Sequence, residues 1–349
     1  VVGESGLEQN TLWKKNNMTQ LLAADIGGTK SDLAIFDLSL TPATPPLYRQ
    51  RYENGNFHDF DAILTDFLGT TDSPTPVYGC FGVAAVIHSG KAQLTNREWL
   101  LNEKKLQNSF GFTKVTLIND LSAVCSGLPF LAETELLQIQ GGQAAKQGIQ
   151  AVIAPGTGLG EGFLIHSDVC FVPQGSEGGH CDFAPLNMEQ SELLRFLQKR
   201  HGSVSYELLC SGIGIPNIFD FLASTDIARD PKRFQRIAEA QDRTPFISEG
   251  AFAASPCPLC AKTFSLFLEI LGAEAGNLAL KTLCTGGMFI GGGILPRIAE
   301  HISFDSFLEA FTRKEKMTSL MEAIPIHLIL KKDAALLGAA SYGFQLFIK

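Results

Sequence analysis

Asp25-Ile26-Gly27-Gly28-Thr29 closes the apolar run Leu21–Ala24 with an acid, two glycines and a hydroxyl. Glycines let backbone approach a ligand closely, and the N–H groups of such a turn can hold phosphate. A carboxylate at the strand end is placed to bind hydrated Mg²⁺. Together these groups point to phosphoryl transfer. One such turn is weak evidence, because a hairpin corner carries the same residues. Two further glycine turns follow, Gly156-Thr157-Gly158-Leu159-Gly160 and Gly291-Gly292-Gly293, and a second acid ends the run Ile118-Asn119-Asp120. Three glycine turns at strand ends exceed what an α/β fold needs for its own sake.

A polar group lies between the turns: Asn119, Asp120, Glu177, His180 and Glu207. Carboxylates, an amide and an imidazole can make paired hydrogen bonds to adjacent hydroxyls. A site of this kind rejects molecules lacking those hydroxyls, because its own polar groups would go unpaired. A sugar is the expected ligand. Each residue also has a plainer reading. Asp120 precedes the helix expected from Leu121 and could be its N-cap. His180 could be structural, and Glu207 falls on an expected helix, where a solvated Glu is the default.

These residues need elements to position them. The sequence predicts strands over 20–26 and 32–37 around the first turn, a helix over 59–68, and strands over 77–86 and 114–118. A helix over 121–131 follows, with a break near Pro129. Strands over 151–154 and 162–165 flank the second turn. Residues 173–182 read as a loop, and 189–199 and 213–222 as helices. Residues 261–283 have the periodicity of a core helix. Strands over 288–290 and 324–330 and a helix over 334–344 complete the chain. Strand-turn-strand openings followed by helices occur in both halves, which predicts two related α/β lobes around a cleft, although no sequence repeat is visible.

The 349 residues suffice for two lobes, and 45% hydrophobic with 18% charged residues is a globular balance. A net charge of −8 argues against a nucleic-acid partner. No apolar run reads as long enough for a bilayer, so no membrane partner is expected. The first residues are polar and the first apolar run carries Asp25, unlike a signal peptide. Eight scattered cysteines form no disulfide framework, which predicts reduced thiols and a cytoplasmic location. Cys257-Pro258-Leu259-Cys260 reads as two thiols at a helix start. Residues 1–17 read as a tail or an added remnant.

The chain resembles the bacterial-type glucokinases, a non-ROK family of the hexokinase–actin–Hsp70 superfamily. The resemblance rests on Asp25–Thr29, Leu94-Thr-Asn96, Ile118–Asp120, Gly156–Gly160, Glu177-Gly-Gly-His180-Cys-Asp-Phe-Ala-Pro185, Leu209–Gly212, Gly276–Leu280 and Ile290–Arg297. It implies a two-lobe actin-like (ribonuclease H-like) α/β fold, with a small domain over 18–130 plus 334–349 and a large one over 131–333. It implies ATP-dependent phosphorylation of D-glucose at the 6-hydroxyl, with Asp120 as general base. Asn96, Asn119, Asp120, Glu177, His180 and Glu207 would bind the sugar. Asp25 would hold Mg²⁺ through water. Gly27, Gly28, Thr29, Gly156, Thr157 and Gly158 would bind phosphate, and Gly291, Gly292 and Gly293 would face the adenosine. A homodimer is implied.

The alternatives are a kinase for mannose, fructose or an amino sugar, and a catalytically silent sugar sensor. Lys30 and Asp32 stand where Asn and Arg usually follow this turn, and Ala85 where Pro is common. These departures bear on the nucleotide more than on the sugar. Cys181 and Cys210 flank expected sugar ligands.

Overall fold

The structure is a computed structural model that describes residues 19–71, 75–94, 97–167 and 170–348. They form two compact units. The first takes in the chain to Ala132, a short segment ending at Pro173, and the chain from Asp333. The second takes in Glu133–Asp168 and Gln174–Lys332.

The strands of the first unit are β1 (Gln20–Ile26), β2 (Lys30–Asp37), β3 (Tyr48–Glu53), β4 (Tyr78–Val83), β5 (Ile87–His88), β6 (Lys91–Gln93), β7 (Leu100–Asn102) and β8 (Lys114–Asn119). Its helices are α1 (Phe60–Thr70), α2 (Glu103–Phe110) and α3 (Asp120–Gly127). The main sheet has the order β3-β2-β1-β4-β8, and β5-β6-β7 form a small sheet of their own. β1 runs antiparallel to β2 and parallel to β4, which is parallel to β8.

β1 is apolar at nearly every position because both of its faces are covered. Leu22, Ala24 and Ile26 pack in one core with Phe60, Ile63 and Phe67 of α1. Leu21 and Ala23 enter a second core on the opposite face. That core is closed by the last helix, to which the chain returns after the second unit.

The second sheet is built from β9 (Leu136–Gln140), β10 (Gln150–Pro155), β11 (Leu159–His166), β12 (Phe171–Ser176), β13 (Gly287–Ile290) and β14 (Ile326–Ile329), all in the second unit except the first half of β12. The helices of this unit are α4 (Met188–His201), α5 (Gly214–Ala223), α6 (Pro231–Glu239), α7 (Thr244–Ala251), α8 (Pro258–Thr282), α9 (Asp305–Thr312) and α10 (Thr318–Ala323). The sheet order is β12-β11-β10-β13-β14-β9. Its first five places repeat the order of the first sheet, so the duplication hidden in the sequence is present in the topology. The chain ends in α11 (Ala334–Phe347), back in the first unit.

Two expectations need correction. The segment 173–182 begins as strand, not loop, because β12 occupies its first residues. β12 alternates only between half-buried and exposed residues and contains Pro173, so it carries no hydrophobic signal. Conversely, α8 has the length and hydropathy of a membrane span, which the sequence reading did not allow. Of its most apolar window, 78% is buried, and its apolar residues form the core of the second unit.

α11 packs against α3 with no room to spare. A Cβ on Gly338 would lie 1.6 Å from the Ala123 carbonyl oxygen. Gly338→Ala should therefore force the two helices apart, at a cost of about 2–4 kcal/mol. Urea denaturation would register this as a lower midpoint, with activity falling because α3 carries Asp120.

Candidate active site

The candidate residues divide into two half-sites, one in each unit. In the first unit, β1 ends at Ile26 and the chain turns through Gly27, Gly28 and Thr29. The carbonyls of this turn are all taken by the protein. Asn54 Nδ2 donates to Gly27 O at 2.8 Å, Arg97 Nε to Gly28 O at 2.8 Å, and Asn54 N–H to Thr29 O at 2.8 Å. Ser31 Oγ donates to Asn54 Oδ1 at 2.8 Å and fixes that side chain. With its acceptors occupied, the turn suits an anion. Asn54 and Arg97 were missed in the sequence. Asn54 carries no local signal, whereas Arg97 directly follows the Leu94-Thr-Asn96 motif. Asn96 itself lies outside the described residues.

Asp25 and Asp120 come from the C-terminal ends of parallel strands, the usual place for a ligand in such sheets. Asp25 is in register with Gly82 of β4, which pairs with Ile118 of β8. Two strand spacings therefore separate Asp25 from the end of β8, roughly 10 Å. Burial first, then the charges of Asp120 and Asp32, push the Asp25 carboxyl up to about 7, against a smaller lowering by Arg51. This concentration of negative charge fits a hydrated divalent cation, which would offset it.

Asn119, not Asp120, is the N-cap of α3. Its Oδ1 accepts from Leu121 N–H at 3.0 Å and Ser122 N–H at 3.2 Å. Its Nδ2 donates to Asp120 Oδ1 at 2.9 Å and to the Ala85 carbonyl at 3.4 Å. Asp120 is the first helical residue, and its Oδ1 also accepts from Leu121 N–H at 2.9 Å. One carboxylate oxygen is thus fixed at a helix N-terminus, where negative charge is favoured.

The unusual residues after the first turn have partners. Lys30 is exposed and pairs with Glu53 across the sheet at 2.9 Å. Asp32 is buried, directly opposite both Asp25 and Arg51. It accepts from Arg49 Nε at 2.9 Å and Nη2 at 2.7 Å, and from Arg51 Nε at 3.0 Å and Nη2. Arginines from β3 thus compensate for the acid on β2.

In the second unit, β10 leads into Gly156, Thr157 and Gly158. Gly212 N–H donates to Gly156 O at 2.8 Å, and Glu207 Oε2 accepts from Leu159 N–H at 2.9 Å. Glu207 lies on a 3₁₀ turn, Tyr206–Leu208, rather than on the helix expected for it. Its carboxylate closes over Gly158, where a Cβ would stand 2.3 Å from Oε2. The third turn packs on the same strand end. Gly291 N–H donates to Ile153 O at 2.8 Å, and Gly292 has φ +78° and lies against Pro155 O.

Glu177 precedes and His180 ends a 3₁₀ turn, Gly178–His180, that lies on β11. A Cβ on Gly179 would be 2.1 Å from Leu159 O, so only glycine permits this approach. The side chains of Glu177 and His180 are both exposed, with His180 Nε2 3.9 Å from Glu177 Oε2. Tyr206 N–H donates to Cys181 O at 3.1 Å, and Asp182 bridges to Ser205, which brings the Glu207 turn alongside. Glu177, His180, Glu207 and two glycine turns thus share one region of the second unit. Cys181 is exposed and Cys210 is buried.

Two α/β units of one strand order, each with a glycine turn after the strand in third place of its sheet, define a two-domain kinase of the actin-like fold. The family model for glucokinases matches residues 22–346. A glucokinase of Nostoc punctiforme is 38% identical over 335 residues, covering 93% of this chain and 98% of its own. The crystal structure of glucokinase from an Antarctic psychrotroph has a TM-score of 0.78 at 29% identity, covering 94% of this chain and 99% of that one. The glucokinase of Balamuthia mandrillaris, solved in complex with glucose, shares the fold with a TM-score of 0.71 at 21% identity, over 98% and 99% of the two chains. The chain belongs to the glucokinase family, enzymes that phosphorylate glucose with ATP.

The raised proton affinity of Asp25 gives a test in protein held free of metal with EDTA. Its folded state keeps a proton to about pH 7, whereas the unfolded chain releases it near 3.8. Stability is therefore lost as pH rises from about 4 to 7. Asp25→Asn removes that loss. Its melting temperature should exceed that of the natural chain at pH 8, by about 1–3 kcal/mol of stability, but not at pH 4. A variant no more stable at pH 8 would contradict this account.

Proposed function

We propose that the chain transfers the γ-phosphoryl group of ATP to the 6-hydroxyl of D-glucose, with Asp120 as the general base. The observation that carries this reading is the fixing of Asp120 by Asn119. An amide that caps α3 also donates to Asp120 Oδ1, so the carboxylate is held at the strand end. Phosphoryl transfer needs chiefly positioning, charge neutralisation and a carboxylate to take the hydroxyl proton. The glucose O6 forms its bond to the γ-phosphorus as the bond from that phosphorus to the bridging oxygen of ADP breaks. The O6 proton passes to Asp120.

Glu177, His180 and Asn96 serve as partners for the other hydroxyls, Asn119 joins them by giving up its long 3.4 Å bond to the Ala85 carbonyl, and Asp120 holds O6 before transfer. The exposure of Glu177 and His180 on a turn fixed to β11 supports this assignment. Glu207 keeps Oε2 on the second turn, which leaves Oε1 for the sugar. Gly27, Gly28, Thr29, Gly156, Thr157 and Gly158 receive the phosphates, and Gly291, Gly292 and Gly293 the adenosine. Mg²⁺, bound through water by Asp25, would supply charge neutralisation on the phosphates. We take the small domain as residues 18–130 with 334–349 and the large one as 131–333, although the compact units group a short segment ending at Pro173 with the first. The family resemblance also supports a homodimer, which light scattering would register as about twice 37.7 kDa.

Asp120→Asn should lower kcat by about 10³-fold or more while changing glucose affinity only a few-fold. Glu177→Gln should instead raise the KM for glucose by about 10- to 100-fold. ADP release coupled to a dehydrogenase, with glucose, mannose, fructose and N-acetylglucosamine in parallel, measures both and ranks the sugars. Turnover by Asp120→Asn at the natural rate would remove the base from the mechanism. Alkylation should strike exposed Cys181 before buried Cys210. Glucose should slow that reaction, and peptide mass mapping with and without the sugar would show it.

A further inference from the structure

Beneath the Glu177–His180 turn lies a carboxyl pair that the mechanism does not use. Glu161 of β11 is 2% exposed, and Glu274 of α8 is fully buried. Their Oε1 atoms are both buried without a hydrogen-bond donor, and the charge of the Glu274 carboxyl raises the proton affinity of Glu161. Two ionised carboxylates buried as neighbours offer only acceptors and repel, so one proton between them relieves the pair.

The surroundings decide where that proton sits. Glu274 Oε2 accepts from Asn277 Nδ2 at 2.8 Å, and Lys281 Nζ stands 3.5 Å from its Oε1. Lys314 Nζ is occupied by Ala273 O at 2.9 Å and Asn277 Oδ1 at 2.7 Å. Tyr206 and Cys210 face the pair from the neighbouring turn and bring no positive charge. Glu274 therefore has the donors and carries the negative charge, and Glu161 keeps the proton. Burial, and then Glu274, push Glu161 up to about 7, with Lys281 opposing.

Glu161 also touches the sugar half-site. A Cβ on Gly178 would lie 1.9 Å from Glu161 Oε2, so the turn between Glu177 and His180 rests on this carboxyl. We propose that Glu161 is a positioning residue for glucose: its shared proton with Glu274 sets the height of the Glu177–His180 turn, and loss of that proton loosens sugar binding. The proposal rests on the reading of Glu177 and His180 as sugar ligands. Ionisation places a second negative charge under a turn that already presents the Glu177 carboxylate. The pair then repels, and the turn lifts.

The test is glucose binding by calorimetry from pH 6 to 9 for the natural chain, Glu161→Gln, Glu274→Gln and Glu177→Gln. The natural chain should lose about 5- to 10-fold in affinity across neutral pH, a typical coupling. Glu161→Gln, which imitates the protonated acid, should hold the low-pH affinity throughout, with kcat at saturating glucose little changed. Glu274→Gln removes the charge that keeps the proton on Glu161, so the midpoint of the loss should move to lower pH. Should Glu161→Gln fail to fold, as judged by its melting curve, this shift decides alone. A Glu161→Gln profile that follows the natural chain, or an unmoved midpoint in Glu274→Gln, would overturn the proposal. Natural affinity in Glu177→Gln would instead overturn the underlying reading of the sugar site.

Discussion

Gly27, Gly28 and Thr29 bring three carbonyl oxygens to the end of β1, and an anion cannot approach that turn while those oxygens face it. The first half-site depends on how they are occupied. Asn54 takes two of them, Arg97 the third, and Ser31 holds Asn54 in place. The second half-site solves the same problem with other residues: Gly212 holds the Gly156 carbonyl, and the Glu207 carboxylate takes the Leu159 N–H. In each case the backbone's own polarity has to be settled before it can serve a ligand.

Charge at the first turn is settled in a similar way. Asp25, Asp32 and Arg51 are direct neighbours across three strands, on the sheet face that α11 covers. A buried Asp32 without a cation would be costly, and Arg49 and Arg51 both close on it. Arg49 also pairs with Asp333 at the start of α11, so the compensation ties the sheet to the helix packed over it. The acid on β2 is thus answered by β3, whose Arg49 and Arg51 lie 17 and 19 residues beyond Asp32 in the chain.

The two sheets share one strand order without sharing visible sequence. What they have in common is a pattern: an apolar strand, a glycine turn, a return strand, then parallel strands reached through helices. That pattern constrains burial and turn chemistry, and it leaves residue identity open. β13 and β14 carry four residues each, against six in β4 and β8, so an alignment of one half on the other finds little to hold.

The sequence by itself determined the strand ends and the chemistry placed there. An acid or glycine after an apolar run is a local signal, and Asp25, Asp120 and all three glycine turns fall at strand ends as read. It also determined most elements of the three cores, because burial on both faces leaves long apolar runs. Edge strands such as β3, β9 and β12 escaped, since half-exposed residues carry no periodic mark. Tertiary structure alone decided the partners: that Asn119 rather than Asp120 caps α3, that Asn54 and Arg97 hold the first turn, that Glu207 closes over Gly158, and that Glu161 meets Glu274 beneath Gly178. Each of these contacts joins residues whose types allow many partners, and only the packing of distant segments removes all but one.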